Sequence, residues 1–366
     1  MKQELVYQIA LTMVPNIGDV FAKSLVNHFG TAGAVFTAGK KELQQIEGMG
    51  KIKINSLLAF DDFEKAEEEI RFLSKHNIRS LFITDDDYPK RLLNCYDSPV
   101  LLYYKGTADL NTEKIAALVG TRNQSEYGRS MCERIIEELS AEDVLVVSGL
   151  AFGIDTIAHR AALKYGLPTV GVLAHGLDRI YPSENKSLAR QMLLQGGLLT
   201  EFKKDVIPDR QNFPSRNRIV AGMSDCVIVI ESGIKGGSLI TAELANGYNR
   251  DVFAVPGKTT DTKSEGCNYA IKNNKAALIT SGIDVIQNMG WEKIKKKKPK
   301  IQRSLFIELT PDEKCLVNIL KDEGPMHIDD LYLKSKLNGS AVAQALLMLE
   351  MNGVVATLPG KIYEVN

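Results

Sequence analysis

Ile115-Ala116-Ala117-Leu118-Val119-Gly120-Thr121-Arg122 is the stretch on which the fold turns. An unbroken apolar run of this length suits a strand buried on both faces, the kind found in parallel sheets. A glycine, a hydroxyl and a guanidinium follow it directly. Glycine lets backbone approach a ligand closely, and the arginine fork matches a phosphate with two parallel hydrogen bonds. The predicted unit is a parallel strand that ends in an anion-binding loop.

Working outward, similar apolar runs recur at 144–147, 169–173, 198–200, 227–230, 252–255 and 277–279, with helical stretches between them. In 131–139, for example, Met131, Ile135 and Leu139 repeat at i, i+4 with Glu133, Arg134 and Glu137 on the remaining surface, which predicts an amphipathic crossover helix. Such alternation argues for an α/β domain: an extended Rossmann-like, mostly parallel sheet with helices on both faces, assigned here to residues 76–290. The shorter apolar runs at 81–83 and 101–104 suit strands leading into the sheet domain, a connector rather than a site.

Residues 1–75 read as short helices divided by two similar glycine turns, Val14-Pro15-Asn16-Ile17-Gly18 and Ile46-Glu47-Gly48-Met49-Gly50. These resemble helix-hairpin-helix units, whose turn N–H groups can meet a DNA phosphate; a plain helical bundle with glycine C-caps is the alternative. A lysine-rich linker is expected over 291–303. In 304–366, Thr310-Pro311-Asp312-Glu313 starts one helix, a second begins near Ile328, and a third spans 340–352 ahead of a β-wing, together a winged helix. That third helix exposes Ser340, Gln344 and Glu350 and has no lysine or arginine, so a protein contact or a weak DNA role suits it better than major-groove reading.

The chain has 366 residues, with 45 Lys plus Arg against 45 Asp plus Glu, so bulk charge gives no reason to expect nucleic acid and any basic site must be local. Five separated cysteines form no CxxC pair and no zinc-ligand set, which predicts reduced thiols and no metal. The acidic start Met1-Lys2-Gln3-Glu4 and the lack of any apolar stretch near the roughly 20 residues needed for a bilayer span point to a cytoplasmic protein with no membrane insertion.

Ligands of doubly wound sheets bind beyond the carboxyl ends of the strands, so the loops there hold the candidate site residues. Gly120, Thr121 and Arg122 follow the first strand. Ser148 and Gly149 open a small-residue loop that runs into a helix N-terminus, where free N–H groups favour anions. Asp155 and His159, four residues apart, could pair an acid with a base, although a structural pair is the plainer reading. Tyr181 could stack on a base or close a turn.

From Lys203 to Arg218 five basic residues face Asp205 and Asp209 alone. Phe213 offers a stacking face and Asn217 polar contacts, which suits a single strand. Of Arg216 and Arg218, one is expected to anchor loops through carbonyls and at least one to reach phosphate. After the fifth strand Lys235, Gly237 and Ser238 again combine a cation with a helix N-terminus. Neither G-x-G-x-x-G nor G-x-x-x-x-G-K-[ST] occurs, which argues against a nucleotide cofactor.

VGTRNQSEYG at 119–128, SGLAFGIDTIAHRAAL at 148–163, GLDRIYPSEN at 176–185, NFPSRNRIVAG at 212–222, GGSLITAELA at 236–245 and FAVPG at 253–257 together resemble the DprA (Smf) family. The resemblance implies a protein that binds single-stranded DNA and protects it. It also implies help in loading the RecA recombinase during natural transformation, no nucleotide hydrolysis and no cofactor, and a homodimer formed through the sheet domain. Carried over by position, its DNA pocket would hold Gly120, Thr121, Arg122, the Ser148-Gly149 turn, 216–218, Lys235, Gly237 and Ser238. Members with Ser-Gly-Ser at 236–238 carry one hydroxyl more than this chain.

A second reading is a nucleotide-processing enzyme of the phosphoribohydrolase type. Related Rossmann-like folds host such enzymes, and residues 236–243 partly echo their P-G-G-x-G-T-x-x-E segment. A dinucleotide-dependent oxidoreductase fails on the missing fingerprint.

Overall fold

A computed structural model of the chain describes residues 2–292 and 309–366. Most of the expected lysine-rich linker lies outside the described residues.

The central sheet has nine strands: β1 (Arg79–Phe82), β2 (Leu101–Gly106), β3 (Ile115–Gly120), β4 (Leu145–Ser148), β5 (Thr169–Val172), β6 (Gly197–Thr200), β7 (Cys226–Glu231), β8 (Asp251–Ala254) and β9 (Ala277–Leu278). Their order is β1-β2-β6-β5-β4-β3-β7-β8-β9. From β6 to β9 all neighbours run parallel. Chain order reverses between β3 and β7, which makes their carboxyl ends the switch point of the sheet. The two strands also slip register between Val119 and Gly120, so the bulge falls where the loop departs.

The mostly parallel sheet agrees with the sequence, and its central strands are buried along nearly their whole length, as continuous apolar runs require. The runs near 81 and 101 form strands, as their apolar pattern suggested, and both belong to the central sheet: β1 lies at its edge and β2 next to it, pairing antiparallel with both β1 and β6 and burying Tyr103 and Tyr104. The crossover helix begins earlier than its apolar repeat, at Glu126, because Ser125 caps it by accepting from the Gly128 N–H.

Helices Glu126–Leu139, Ile154–Lys164 and Gly282–Asn288 cover one face of the sheet over Ala116, Leu118, Val146 and Ile228. Helices Asn212–Gly222 and Gly237–Gly247 cover the other, where the core continues without a break into the N-terminal helices. In that N-terminal unit Gly18 and Gly50 sit at the N-caps of helices Asp19–Phe29 and Lys51–Leu58 rather than at C-caps.

The C-terminal unit is a winged helix with helices Pro311–Glu323, Ile328–Ser335 and Gly339–Met351. Its small sheet has β10 (Met326–His327), β11 (Val355–Leu358) and β12 (Ile362–Val365) in the order β10-β12-β11. Thr310 and Glu313 form a reciprocal capping box at its first helix. The unit docks at the amino ends of β7 and β8, through Arg250 with Asp329 at 3.3 Å and Lys361 with Asp251 at 2.7 Å. All five cysteines are unpaired, and among the described residues no helix is long and apolar enough to cross a membrane.

Candidate nucleic-acid interface

Three loops meet at the switch point because glycines let their backbones touch. A Cβ on Gly120 would lie 2.5 Å from Ile154 and 3.0 Å from the Glu231 carbonyl. Gly153, at φ 82°, has its Cα hydrogen side against the Thr121 carbonyl, where no side chain fits. Thr121 then donates its N–H to Glu231 O at 2.8 Å, and its carbonyl accepts from Ile154 N at 3.1 Å. The buried Glu231 carboxylate accepts from the backbone N–H and the hydroxyl of Ser125, tying down the start of the crossover helix.

The result is a cavity of about 370 Å³, within the range of small-ligand sites. Its walls are Gly120-Thr121-Arg122, then Gly149, Ala151 and Asp155, then Phe213, Arg216 and Asn217, and finally Ser232, Gly236, Gly237 and Ser238. Helices Ile154–Lys164 and Gly237–Gly247 both begin here, and neither N-cap glycine has a side chain to satisfy the first N–H groups. Both helix ends therefore favour negative charge in the cavity.

The two arginines of the wall are in opposite states. Arg216 is 5% exposed; its Nη1 donates to the carbonyls of Gly149 and Val172, and its Nε donates to Asn217 Oδ1 at 3.1 Å. Burial pushes the Asp155 carboxyl up, and the Arg216 charge is the strongest influence holding it down. Arg216 is thus a buried structural part of the floor, anchored to two carbonyls, with Asp155 near enough to feel its charge but not in ion-pair contact. Gly149 is the condition for it, since a Cβ there would fall inside the guanidinium. Arg122 is exposed at the mouth, its guanidinium 4.8 Å from the Phe213 ring centroid, with no hydrogen bond or ion pair among the described residues.

The remaining expected residues separate. Phe213, Asn217, Gly237 and Ser238 line the cavity. Ser238 donates its hydroxyl to Ser232 Oγ at 2.8 Å, while Ser148 lies fully buried beneath and donates to Leu118 O at 2.6 Å. Lys235 is exposed in the turn before helix Gly237–Gly247 and is not part of the wall. Arg218 does not join the others at all. It faces the N-terminal helices, where it donates to Asp19, to Glu201 and to the Asp97 carbonyl.

Lys204 also turns away, pairing with Glu68 at 3.5 Å. The expected Asp155–His159 pair is absent: His159 Nδ1 sits 2.7 Å from Thr169 Oγ1, and burial pushes its pKa down to about 3, so it is a neutral core residue.

Phe152 was missed by the sequence reading. It is exposed, and with Tyr181 and Phe213 it borders a shallow recess beside Arg122. An aromatic inside a glycine-rich loop was the available signal.

Comparison with known proteins places this architecture. Residues 79–290 match the family model described as DNA recombination-mediator protein A, and residues 305–361 match the DprA winged helix domain. Protein Smf of Synechocystis sp. is 31% identical over 99% of this chain and 98% of its own. The chain belongs to the DNA recombination-mediator protein A family.

A relative in the family, DNA processing protein DprA of Streptococcus pneumoniae, is 45% identical over 57% of this chain and 73% of its own. The X-ray structure of the pneumococcal protein covers 78% of this chain and 98% of its own, at TM-score 0.65 and 34% identity. The Helicobacter pylori DNA processing protein A, whose structure is described as showing a single-stranded DNA binding mode, covers 58% of this chain and 94% of its own, at TM-score 0.53 and 30% identity. Membership brings DNA processing and recombination as the field of action, and it leaves the chemistry of the site to geometry.

Proposed function

We propose that this protein binds single-stranded DNA at the switch-point cavity and acts on it without chemistry, protecting the strand and helping to load the RecA recombinase. The observation that carries this is Arg122. It is an unpaired guanidinium stacked on an aromatic ring at the mouth of a cavity whose inner cation, Arg216, is already anchored to backbone carbonyls. An exposed cation next to stacking faces suits a backbone running past, with a base inserted or stacked. The binding mode described for the Helicobacter pylori relative supports the same ligand. Cytoplasmic action and a homodimer through the sheet domain belong to this proposal.

The enzymatic alternative loses support at Glu243. The acid that would serve a phosphoribohydrolase is exposed outside the cavity and pairs with Lys275 at 2.9 Å. The acid inside, Asp155, faces Arg216 and the loop backbone.

The test is a gel shift of single-stranded against duplex DNA with unlabelled nucleotide as competitor, beside an incubation with nucleoside monophosphates. Preference for the single strand, no displacement by nucleotide and no free base are expected. Release of base at enzyme-like rates would overturn the proposal.

A further inference from the structure

The loop of residues 176–182, which follows β5, is a ridge between two depressions. On one side His175, Tyr181 and Pro182 face Arg122, Phe152 and Phe213 beside the main cavity. On the other, Leu177, Asp178, Arg179 and Ile180 border a groove of about 240 Å³ whose remaining wall includes Lys105, Lys186 and Arg190. We propose that this second groove takes the phosphodiester backbone of a single strand as it leaves the first cavity over the ridge. The inference rests on the single-strand function above and extends it to a second site.

Charge is the first argument. Four cations border the groove, and its one acid, Asp178, is already engaged: its Oδ2 accepts from Arg179 at 2.9 and 2.7 Å, and its Oδ1 accepts from the Asp205 N–H at 3.3 Å. Among the described residues the side chains of Lys105, Lys186 and Arg190 have no hydrogen-bond or ion-pair partner. In a chain with equal numbers of acids and bases, such an unbalanced groove is a local exception.

Helix electrostatics is the second. Lys186 and Arg190 occupy the first and fifth positions of helix Lys186–Gln195, KSLARQMLLQ, which contains no acid. Like charges at i, i+4 repel, and a cation in the first turn opposes the helix dipole. An anion bound beside these two residues would offset both effects.

Continuity is the third. The cations come from the end of β2, the ridge loop and successive turns of one helix, so they trace a path instead of surrounding one ion. Tyr181 and Phe152, 48% and 44% exposed, offer stacking faces on the side of the ridge toward the first cavity. Leu177, Ile180 and Leu193 give the groove an apolar floor suited to sugars and bases.

The experiment compares oligothymidylates of about 4 and about 16 nucleotides, the span of typical single-strand sites, by fluorescence anisotropy across a salt series. The variants are a Lys186→Ala/Arg190→Ala pair and, separately, Arg122→Ala. Alanine is the best helix former, so the paired variant keeps its helix. The pair is expected to weaken the long oligonucleotide severalfold and to lower its log affinity against log salt slope by ~1.4, two contacts at ~0.7 each, leaving the short one unchanged. Unchanged long-strand binding overturns the second groove, as does equal weakening of both lengths, which would mark a diffuse field effect. Arg122→Ala reports on the first cavity alone. If it changes neither length, the single-strand function at the switch point fails, whatever the paired variant does.

Discussion

Arg122 and Arg216 line one cavity, yet they should respond to substitution in opposite ways. Arg216 is buried with its guanidinium donating to two carbonyls, so Arg216→Ala leaves buried acceptors unsatisfied and should cost about 1–3 kcal/mol of stability, read by urea unfolding. Arg122 is exposed and unpaired, so Arg122→Ala should stay within about 0.5 kcal/mol while weakening single-strand binding and lowering its salt slope by ~0.7. An Arg216→Ala protein as stable as the parent would contradict the description of Arg216 as a buried anchor. Gly149→Ala is predicted to act like overpacking. Its methyl would enter the Arg216 guanidinium, which Val172 O holds in place, at about 1–3 kcal/mol measured the same way. The sequence could not separate the two arginines, because burial depends on which loop lies opposite. The Gly120-Thr121-Arg122 loop itself was legible, since a buried strand must end in an exposed turn.

Helix Asn212–Gly222 joins two different environments. Arg216 and Arg218 are two residues apart, about 200° around a helix, so they face opposite ways. The sequence reading of residues 203–218 expected one of the two arginines to anchor loops through carbonyls but could not say which; both donate to carbonyls, and helical geometry was the missing step. The Arg218 side meets Asp19, Asp97 and Glu201, three acids around one cation. Burial pushes the Glu201 carboxyl up to about 7 despite Arg218, and Asp19 is raised for the same reason. A folded value above the unfolded one means the folded state holds an extra proton between pH 4.5 and about 7, so stability falls as pH rises through that window. Glu201→Gln, which keeps the shape without the charge, should flatten this slope, with melting temperatures read from pH 5 to 8. Each kcal/mol corresponds to about 2–4 °C in a domain of this size. A parent whose melting temperature rises across that window would contradict it. Strands β1 and β2 were legible as apolar runs, but their place in the sheet was not, for a related reason: the antiparallel pairing of β2 with β1 and with β6 is a long-range choice that no local pattern encodes.

Across the whole molecule, the cavity and the winged helix lie at opposite ends of the parallel strands: one at the carboxyl ends of β3, β4 and β7, the other at the amino ends of β7 and β8. Asp329 is the centre of the docking. It pairs with buried Arg250, accepts from Asn94 Nδ2 at 2.9 Å, and lies at the start of helix Ile328–Ser335. Docking uses that second helix and the turn carrying Lys361, so the third helix keeps a free face. Ser340, Gln344 and Glu350 are exposed on it, with Leu347, Met348 and Met351 beside them, and no cation is among these side chains. Removing Asp329 would leave the Arg250 charge buried without a carboxylate, a loss of about 3–5 kcal/mol concentrated at this interface. Asp329→Ala is therefore expected to release the winged helix, raising hydrogen exchange over residues 326–335 and on the facing segment around Arg250. Single-strand affinity at the far end should stay within a factor of about 2, as additivity between distant sites implies. A variant that lost DNA affinity while keeping its interface protected from exchange would mean that the two ends of the sheet are coupled through the strands, and the expectation that they act separately would fail.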